Sequence, residues 1–473
     1  MKIPRHIFRE YDIRGVADRD LSDELAHALG RAFAHVLRLS SKERSAPLRV
    51  AVARDGRFSS ARLFNALTEG LRTGGVSVVS VGVGPTPMLY FAAFHLETDG
   101  AIMITASHNP APDNGFKLMR GKSSFYGADI QHLADVIESD AASKEPAPAR
   151  GEFVEMNVQA EYIETVRRSS RLAHTNVKFI VDGGNGAAGP LGVTTLNALG
   201  LTPETLYCDI DGSFPNHHPD PTVPKNLVAL RERVLSTGAT LGVAWDGDGD
   251  RIGAIDETGE IVWGDKLLLL YARAVLKDFP GATVLGEVKC SETLYADIAK
   301  HGGRPLVWKT GHSLIKAKMK EEHAKLAGEM SGHMFFADRW LGFDDAIYAT
   351  VRLVEIIASE GKTLGELLAD VPKTFATPEI RVDCPDNIKF QVVADVVAHY
   401  RNTHRVLDID GGRVDFGAGA WGLCRASNTQ PVLVLRFEAA TPERLEEVRL
   451  EVEGVVARAI TQVSNQGGGS WGS

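Results

Sequence analysis

Apolar runs alternate with amphipathic segments along most of the chain. Residues 49–54, 100–105 and 177–181 are short runs of mainly apolar side chains, a pattern typical of strands that are buried on both faces of a sheet. Residues 59–72 and 226–237 instead carry apolar side chains at helical spacing. Strands that alternate with helices in this way predict α/β units with mostly parallel sheets and right-handed crossovers.

The pattern changes near residue 373. Short strand-like segments now follow one another closely, and helical segments at residues 388–400 and 442–461 flank them, which predicts an α+β domain with an antiparallel sheet. We therefore predict three similar mixed, mostly parallel α/β domains, a C-terminal α+β domain and a disordered tail. Their predicted bounds are residues 1–148, 149–257, 258–372, 373–463 and 464–473.

The apolar run at residues 100–105 ends beside a serine and a histidine. Ser107 and His108 precede a stretch rich in proline and asparagine, and Lys117 follows closely, so we expect all three side chains in one irregular loop. Ligands bind open parallel sheets at the carboxyl ends of the strands, which makes this loop a candidate site. The alternative is a serine that caps nearby backbone, whereas a serine hydrolase is disfavoured because no Gly-x-Ser-x-Gly surrounds Ser107.

A second apolar run, residues 240–244, leads into carboxylates at alternate positions, Asp246, Asp248 and Asp250. Neighbouring anions are costly unless a cation or a proton neutralises them, and oxygen ligands suit Mg²⁺ or Ca²⁺. An EF-hand is excluded because Arg251 occupies the position that requires glycine. An exposed acidic turn is the alternative to a metal site.

A glycine-rich turn follows the run at residues 177–181. Residues 184–189 spell Gly-x-Gly-x-x-Gly, and Asp209 lies downstream, as in a dinucleotide-binding unit. This fingerprint is weak by itself. We favour a tight turn between a strand and a helix.

Composition narrows the range of functions. The 473 residues carry a formal net charge of −9, which argues against nucleic acid as a partner, and no apolar run is long enough to span a bilayer. Four cysteines lie far apart, as expected for a protein of the reducing cytoplasm. A phosphorylated substrate would need a local basic pocket, and the basic residues near the motifs are Arg14, Lys117, Arg251, Lys289 and Arg425.

Several motifs, in order along nearly the whole chain, resemble the α-D-phosphohexomutase family and, within it, the bacterial phosphomannomutase/phosphoglucomutase group. These motifs are residues 8–15, 105–110, 214–221, 246–251, 328–333 and 425–429. The resemblance implies a heart-shaped molecule of four domains around a central cleft. It also implies an enzyme that interconverts the 1- and 6-phosphates of mannose, glucose or both, through a phosphoserine and a 1,6-bisphosphate intermediate.

The resemblance further implies site residues and cofactors. The catalytic set is Ser107, Lys117, His108, His333 and Arg14. The substrate-binding set is Tyr11, Arg251, Lys289, His312, Glu329, Ser331, His333, Arg425, Ser427, Asn428 and Thr429. The implied metal is Mg²⁺, held by phosphorylated Ser107 with Asp246, Asp248 and Asp250. A hexose 1,6-bisphosphate such as glucose 1,6-bisphosphate is the implied activator.

Two alternatives stay open. The first is a phosphoglucosamine mutase, which Met330 disfavours because those enzymes usually have glutamine there, although Ala106 departs from the Gly found in some members of the favoured group. The second is a Mg²⁺-dependent sugar-phosphate-binding protein without turnover. The predicted partner is a small phosphosugar, with neither nucleic acid nor membrane, and the choice between monomer and homodimer is left undecided.

Overall fold

The computed structural model describes residues 1–41, 46–143, 149–172, 175–428 and 430–467. The chain divides into two compact units. Unit 1 comprises Met1–Val284 and Gly311–Ala369, and unit 2 comprises Leu285–Thr310 and Asp370–Ser473. Within the described residues, no helix combines the length and the apolar character needed to cross a membrane.

The N-terminal part of unit 1 is built on one sheet of seven strands. Its elements are β1 (Ile13–Val16), α1 (Ala17–Asp20), α2 (Asp23–Ser40), β2 (Arg49–Arg54), α3 (Ser60–Thr73), β3 (Ser77–Val83), α4 (Thr86–His95), β4 (Gly100–Ile104), β5 (Asp113–Arg120), β6 (Ser123–Phe125), α5 (Ala128–Ser139) and β7 (Phe153–Glu155). The strand order is β1-β5-β4-β2-β3-β7, with β6 beside β5. The pairs β2–β3, β2–β4 and β3–β7 are parallel, whereas β5 runs antiparallel to β1, β4 and β6.

Strand β5 corrects one sequence-based expectation. Lys117 was expected in an irregular loop, but it lies within β5 and pairs with Met103 of β4. The strand begins at Asp113 with turn-forming residues, so the local sequence predicts a loop there instead of a strand. Its backbone bonds come from β1 and β4 on its two sides, so pairing with distant strands outweighs the local turn preference.

A second sheet of five strands completes the first half of the chain. Its elements are α6 (Gln159–Ser169), β8 (Phe179–Asp182), α7 (Gly189–Ala198), β9 (Glu204–Leu206), α8 (Val228–Thr237), β10 (Leu241–Trp245), β11 (Ile252–Asp256) and β12 (Ile261–Val262). The order is β12-β11-β10-β8-β9. Strand β8 is parallel to β9 and β10, and β11 is antiparallel to β10 and β12. The glycine-rich segment forms the turn between β8 and α7.

The chain then continues through both units. The next elements are α9 (Gly264–Asp278), β13 (Thr283–Glu287), α10 (Glu292–Lys300), β14 (Arg304–Trp308), α11 (His312–Glu321), β15 (Leu326–Gly328), β16 (Met334–Phe336), α12 (Ala346–Glu360) and α13 (Leu364–Leu368). In unit 1, β15 and β16 form an antiparallel pair. Helix α10 and strand β14 belong to unit 2.

The C-terminal part of unit 2 is an antiparallel sheet of six strands. Its elements are β17 (Phe375–Ala376), β18 (Ile380–Asp383), α14 (Lys389–Tyr400), β19 (Arg405–Leu407), β20 (Gly412–Asp415), β21 (Trp421–Ala426), β22 (Val432–Ala439) and α15 (Pro442–Gly467). The order is β17-β22-β21-β20-β19, with β18 also on β22. The mixed sheets and this antiparallel sheet confirm the predicted fold class.

Helix α15 corrects the predicted tail. Apolar side chains of α14, β21, β22 and α15 share one buried core, and the regular helix continues to Gly467. Residues 464–467 are therefore helical rather than part of the predicted tail, because the helix carries on beyond its last core contact at Val463. Residues 468–473 lie outside the described part of the chain.

Candidate active site

Ser107 stands just beyond β4, all of whose residues are buried. Its φ is +52°, a left-handed conformation that costs a residue other than glycine roughly 1–3 kcal/mol. The Ser107 amide donates to Thr105 Oγ1 at 2.9 Å, and its hydroxyl donates to Asp246 Oδ2 at 2.8 Å. His108 Nδ1 lies 3.1 Å from the same hydroxyl oxygen. The serine is therefore held in a strained and specific orientation toward the aspartate loop.

The aspartate loop connects the antiparallel strands β10 and β11, which pair up to Trp245 and Ile252. Asp246 Oδ1 accepts from the amides of Asp250 and Arg251 at 3.0 and 3.1 Å, which folds the loop around that carboxylate. Asp246, Asp248 and Asp250 are buried, and each offers an oxygen within 4.8 Å of the others'. The structure thus brings together the three carboxylates that the sequence singled out.

Lys117 reaches from β5 into this cluster. Its ammonium donates to Asp248 Oδ2 at 2.6 Å and to Asp250 Oδ2 at 2.5 Å. Burial disfavours the ammonium, but Asp248 and Asp250 raise the pKa of Lys117 well above its usual value. Burial also disfavours the charged form of Asp250 and would raise its pKa, but Lys117 and His333 hold that pKa well below its usual range. Lys117 is accordingly a fixed positive charge in this arrangement.

The cluster fits a hard divalent cation. One ammonium contacts two of the three carboxylates. Burial, followed by the charges of Asp250 and Asp248, raises the pKa of Asp246 well above its usual value. Asp248 Oδ1 is buried and has no hydrogen-bond partner among the described residues. A set of carboxylate oxygens is what Mg²⁺ and Ca²⁺ prefer, so these residues could bind a metal.

Arg14 contacts the serine loop, and His108 belongs to it. Arg14 donates from Nη1 to Asn109 Oδ1 at 2.9 Å and from Nη2 to Asp12 Oδ2 at 2.5 Å. Burial, together with Arg251 and Arg14, lowers the pKa of His108 well below its usual value. The His108 imidazole is therefore neutral near pH 7.

Three residues of the predicted substrate-binding set, Glu329, Ser331 and His333, belong to a turn between β15 and β16. Glu329 Oε2 lies 2.6 Å from His333 Nδ1, and Ser331 Oγ lies 3.1 Å from the same nitrogen. His333 Nε2 is 3.3 Å from Asp250 Oδ1. Burial disfavours the His333 imidazolium, but Asp250 raises its pKa to about 9. This turn therefore adjoins the aspartate loop.

Tyr11 and His312 lie next to that turn. Their rings meet edge to face with centroids 6.0 Å apart, and His312 stacks on His333 at 5.7 Å. His312 is the first residue of α11, where free amide groups favour anions. Burial and Lys316 lower the pKa of His312 well below its usual value.

The 214–221 motif contacts the aspartate loop through Pro219. Gly247 donates its amide to Pro219 O at 3.2 Å. His217 Nε2 lies 2.9 Å from Asp182 Oδ2, and His217 Nδ1 lies 3.0 Å from His218 O. Burial disfavours the His217 imidazolium, but the hydrogen bond and charge of Asp182 raise its pKa above the usual value.

The remaining predicted residues lie in unit 2. Lys289 Nζ donates to Glu379 Oε1 at 2.7 Å. The charge of this ammonium lowers the pKa of Glu379 to about 2. Arg425 Nε donates to Asp410 Oδ2 at 3.1 Å. Each of these two cations is therefore already paired with a carboxylate.

A loop between β21 and β22 carries the last predicted residues. Ser427 donates its amide to Val432 O at 3.0 Å, and the Lys389 ammonium donates to Ser427 O at 2.6 Å. Asn428 follows in this loop. Thr429 lies outside the described residues.

Sequence reasoning missed several contributors. Arg57 and Thr86 in unit 1, and Glu379, Lys389 and Asp410 in unit 2, contact the predicted residues or their loops. Arg57 had a signal, because Asp55-Gly56-Arg57 follows β2 just as Ser107 follows β4. Thr86, whose hydroxyl donates to Asp248 Oδ2 at 2.5 Å, gave none beyond its place at a helix start.

Four sequence models of one family match the chain in order. Alpha/beta/alpha domains I, II and III of phosphoglucomutase/phosphomannomutase match residues 5–144, 160–259 and 263–375, and the C-terminal domain of the same family matches residues 379–455. Together these matches cover most of the chain.

Known proteins resemble the chain over nearly its whole length. The phosphomannomutase/phosphoglucomutase of Pseudomonas aeruginosa is 44% identical over 448 residues, 94% of each chain. A phosphoglucomutase of Neisseria meningitidis is 40% identical over 457 residues, which are 96% of this chain and 97% of the relative. A crystal structure of a phosphoglucomutase/phosphomannomutase family protein from Burkholderia thailandensis superposes with a TM-score of 0.89 at 40% identity, covering 97% of this chain and 98% of the other. The chain therefore belongs to the phosphoglucomutase/phosphomannomutase family of α-D-phosphohexomutases and is a phosphohexomutase.

Proposed function

We propose that this phosphohexomutase interconverts the 1- and 6-phosphates of glucose and mannose, and that Ser107 carries the transferred phosphoryl group. The observation that carries the proposal is the position of Ser107 Oγ, 2.8 Å from Asp246 Oδ2 within the buried cluster of aspartates. A phosphoseryl group brings nearly two negative charges. Such a group needs both a cation and fixed positive side chains, and Lys117 and Arg14 supply the latter close to the serine loop.

The proposed reaction has two phosphoryl transfers. In the first, the bond between Ser107 Oγ and phosphorus breaks while a free hydroxyl of the hexose monophosphate bonds to the same phosphorus, which gives a hexose 1,6-bisphosphate. In the second, the other phosphoryl group returns to Ser107 and leaves the isomeric monophosphate. The hydroxyl proton passes to the Ser107 oxygen in the first transfer and back to the sugar in the second.

Proton movement falls to the side chains around the serine. His108, whose lowered pKa keeps it neutral, lies 3.1 Å from Ser107 Oγ and is placed to accept a proton. Lys117 and His333 have raised pKa values, so we assign them the role of positively charged hydrogen-bond donors that keep their protons. A general base such as His108 typically contributes about 10²–10⁴-fold to a rate.

Asp246, Asp248 and Asp250, with an oxygen of phosphorylated Ser107, would hold Mg²⁺, which neutralises charge on the transferring phosphoryl group when it is bound. An N-acetylphosphoglucosamine mutase of Aspergillus fumigatus has the same fold, with a TM-score of 0.64 at 17% identity, and was solved in complex with GlcNAc-6P and magnesium. A variant of that enzyme was solved in complex with glucose 1,6-bisphosphate. We propose that this bisphosphate activates the present enzyme by phosphorylating Ser107.

Substrate recognition is assigned to two sets of residues. Glu329 and Ser331 would bind the sugar hydroxyls O3 and O4, which are alike in glucose and mannose, with Tyr11, Arg251 and His312 nearby. The phosphate that is not transferred would bind the unit 2 residues Lys289, Arg425, Ser427, Asn428 and Thr429. A phosphate bound at Arg425 would then displace the Asp410 carboxylate from the guanidinium, or bind the guanidinium together with it. The four domain bounds and the cytoplasmic location given above also remain predictions.

The test is mutase turnover on glucose 1-phosphate, mannose 1-phosphate and glucosamine 1-phosphate, with Mg²⁺ and a trace of glucose 1,6-bisphosphate. We expect comparable turnover of the first two substrates and loss of both in Ser107→Ala and in excess EDTA. Ser213→Ala, which removes an exposed hydroxyl from a turn of the same unit, is the matched control and should keep full activity. Glucosamine 1-phosphate as the clear favourite would refute the proposed specificity, and Ser107→Ala with wild-type turnover would refute the nucleophile.

A further inference from the structure

Arg57 is a buried arginine at the first turn after β2, outside every role assigned so far. A guanidinium has five N–H donors in a fixed fork, and all five are used here. Nε donates to Asp55 Oδ2 at 3.1 Å. Nη1 donates to Pro110 O at 2.7 Å and Asp113 O at 3.0 Å, and Nη2 donates to Ser107 O and Asn109 O, both at 2.7 Å.

Four of these acceptors are main-chain carbonyl oxygens of the serine loop, residues 107–113. The loop therefore folds around one cation, and the carbonyl of Ser107 itself is fixed. Because that carbonyl is held while φ of Ser107 is +52°, both backbone torsions of the residue are constrained. The orientation of the Ser107 hydroxyl toward Asp246 depends on those torsions.

The guanidinium is itself held from the other side. Asp55 accepts from the Arg57 amide at 3.0 Å and from Ser60 Oγ at 2.5 Å, so its carboxylate is fixed as well as paired. The ring of Phe214 lies over the guanidinium with its centroid 5.1 Å away. Arg57 is 2% exposed, which removes competition from water for its hydrogen bonds.

We propose that Arg57 is a positioning residue, whose guanidinium holds residues 107–113 in the conformation that aims Ser107 at the aspartate loop. Arg57 touches no reacting atom, so it acts through the carbonyl oxygens it binds. Lysine cannot replace it, because an ammonium presents donors from a single atom rather than from a planar fork. The proposal rests on the function proposed above, in which Ser107 carries the phosphoryl group.

The test compares Arg57→Lys with Arg352→Lys. Arg352 is equally buried in the same unit and also makes a two-pronged pair, with Asp338 at 2.9 and 2.8 Å, but it has no bond to the serine loop among those described. We expect kcat on glucose 1-phosphate to fall about 100-fold in Arg57→Lys, the size typical of a 1 Å misplacement, with KM within about threefold. Arg352→Lys should lower the melting temperature while kcat stays within about threefold of wild type.

A spectroscopic readout separates positioning from general damage. The ³¹P resonance of phosphorylated Ser107 should shift or broaden in Arg57→Lys and stay at its wild-type position in Arg352→Lys. The proposal is overturned if Arg57→Lys keeps its kcat within about threefold, or if both variants lose kcat in proportion to lost stability. If Arg57→Lys does not fold, Asp55→Asn decides: a fall in kcat of about tenfold at unchanged KM supports the proposal, and an unchanged kcat overturns it.

Wild type and Ser107→Ala are measured beside these variants. An inactive wild type, or an active Ser107→Ala, would count against the proposed function, whatever activity the Arg57 variants show. An active wild type with an inactive Ser107→Ala leaves the Arg57 variants as a test of positioning alone.

Discussion

The serine loop and the aspartate loop meet at a glycine, and this contact can be perturbed by one methyl group. A Cβ built on Gly247 would lie 2.4 Å from Ser107 O, whereas ordinary contact begins at 3.4 Å. Ser107 O cannot yield easily, because Arg57 Nη2 holds it at 2.7 Å. Gly247→Ala should therefore push the two loops apart by about 1 Å, the difference between these distances.

A displacement of that size predicts a large loss of rate and a moderate loss of stability. A misplacement of about 1 Å can cost about 100-fold in rate, and an added methyl group in a packed site typically costs about 1–3 kcal/mol of unfolding free energy. We expect mutase turnover with Mg²⁺ to show the loss of rate in Gly247→Ala, and urea denaturation to show the loss of stability. Gly454→Ala is the control, because its nearest neighbour is a flexible arginine tip at 3.5 Å and alanine is the better helix former.

A second variant, Gly186→Ala, should perturb the same loop less strongly. A Cβ on Gly186 would lie 2.8 Å from Gly247 O, so Gly186→Ala presses on the aspartate loop without reaching Ser107. Its kcat should fall between those of wild type and Gly247→Ala. The reasoning is refuted if Gly247→Ala retains kcat within about threefold of wild type, or if Gly186→Ala is the more damaged of the two. Mass spectrometry of the Ser107 phosphoryl group ensures that equally loaded enzymes are compared.

Two further predictions follow from the charges around the site. Lys117→Met leaves Asp248 and Asp250 without their shared ammonium, so in EDTA it should destabilise unit 1 by about 3–5 kcal/mol and by less in excess Mg²⁺; equal urea midpoints for wild type and variant in EDTA would contradict this. His217 has a raised pKa in the folded protein, so the stability from its pairing with Asp182 is fully present below the unfolded pKa of about 6.5 and is lost as pH rises through the folded pKa. The stability difference between wild type and His217→Gln should accordingly shrink from pH 6 to alkaline pH in urea titrations, and a constant difference would count against the imidazolium.

The sequence identified the strands that carry the site. Residues 49–54 coincide with β2, and the run at 100–105 differs from β4 by one residue at its end. Such strands are buried on both faces, so their apolar runs are continuous and easy to recognise. Strand β5 escaped, because its first residues favour a turn and its pairing with β1 and β4 is not a property of local sequence.

The same distinction applies to the site. Ser107 and the three aspartates lie in short motifs whose residue types indicate a nucleophile and a metal site, and the structure brings them together. Arg57 follows β2 as Ser107 follows β4, but its role could not be predicted in that way, because four of its five acceptors are main-chain carbonyl oxygens 50 to 56 residues away. Lys289 and Arg425 were among the basic residues expected to form a local pocket, and the structure adds that Lys289 is paired with Glu379, 90 residues along the chain. Long-range pairing of charges is invisible to a reading of composition.

A buried cation holds a loop of predicted site residues in each of the two units. In unit 1, Arg57 binds the carbonyl oxygens of residues 107–113, and in unit 2 the Lys389 ammonium binds Ser427 O and Gln430 O. Both cations are buried, so each loop is fixed by hydrogen bonds that already exist before a ligand arrives. Phosphoryl transfer depends mainly on positioning and on preorganised charge. Loops that are fixed in advance avoid reorganisation at the moment of reaction, which is why we expect buried cations that touch no substrate to control the rate.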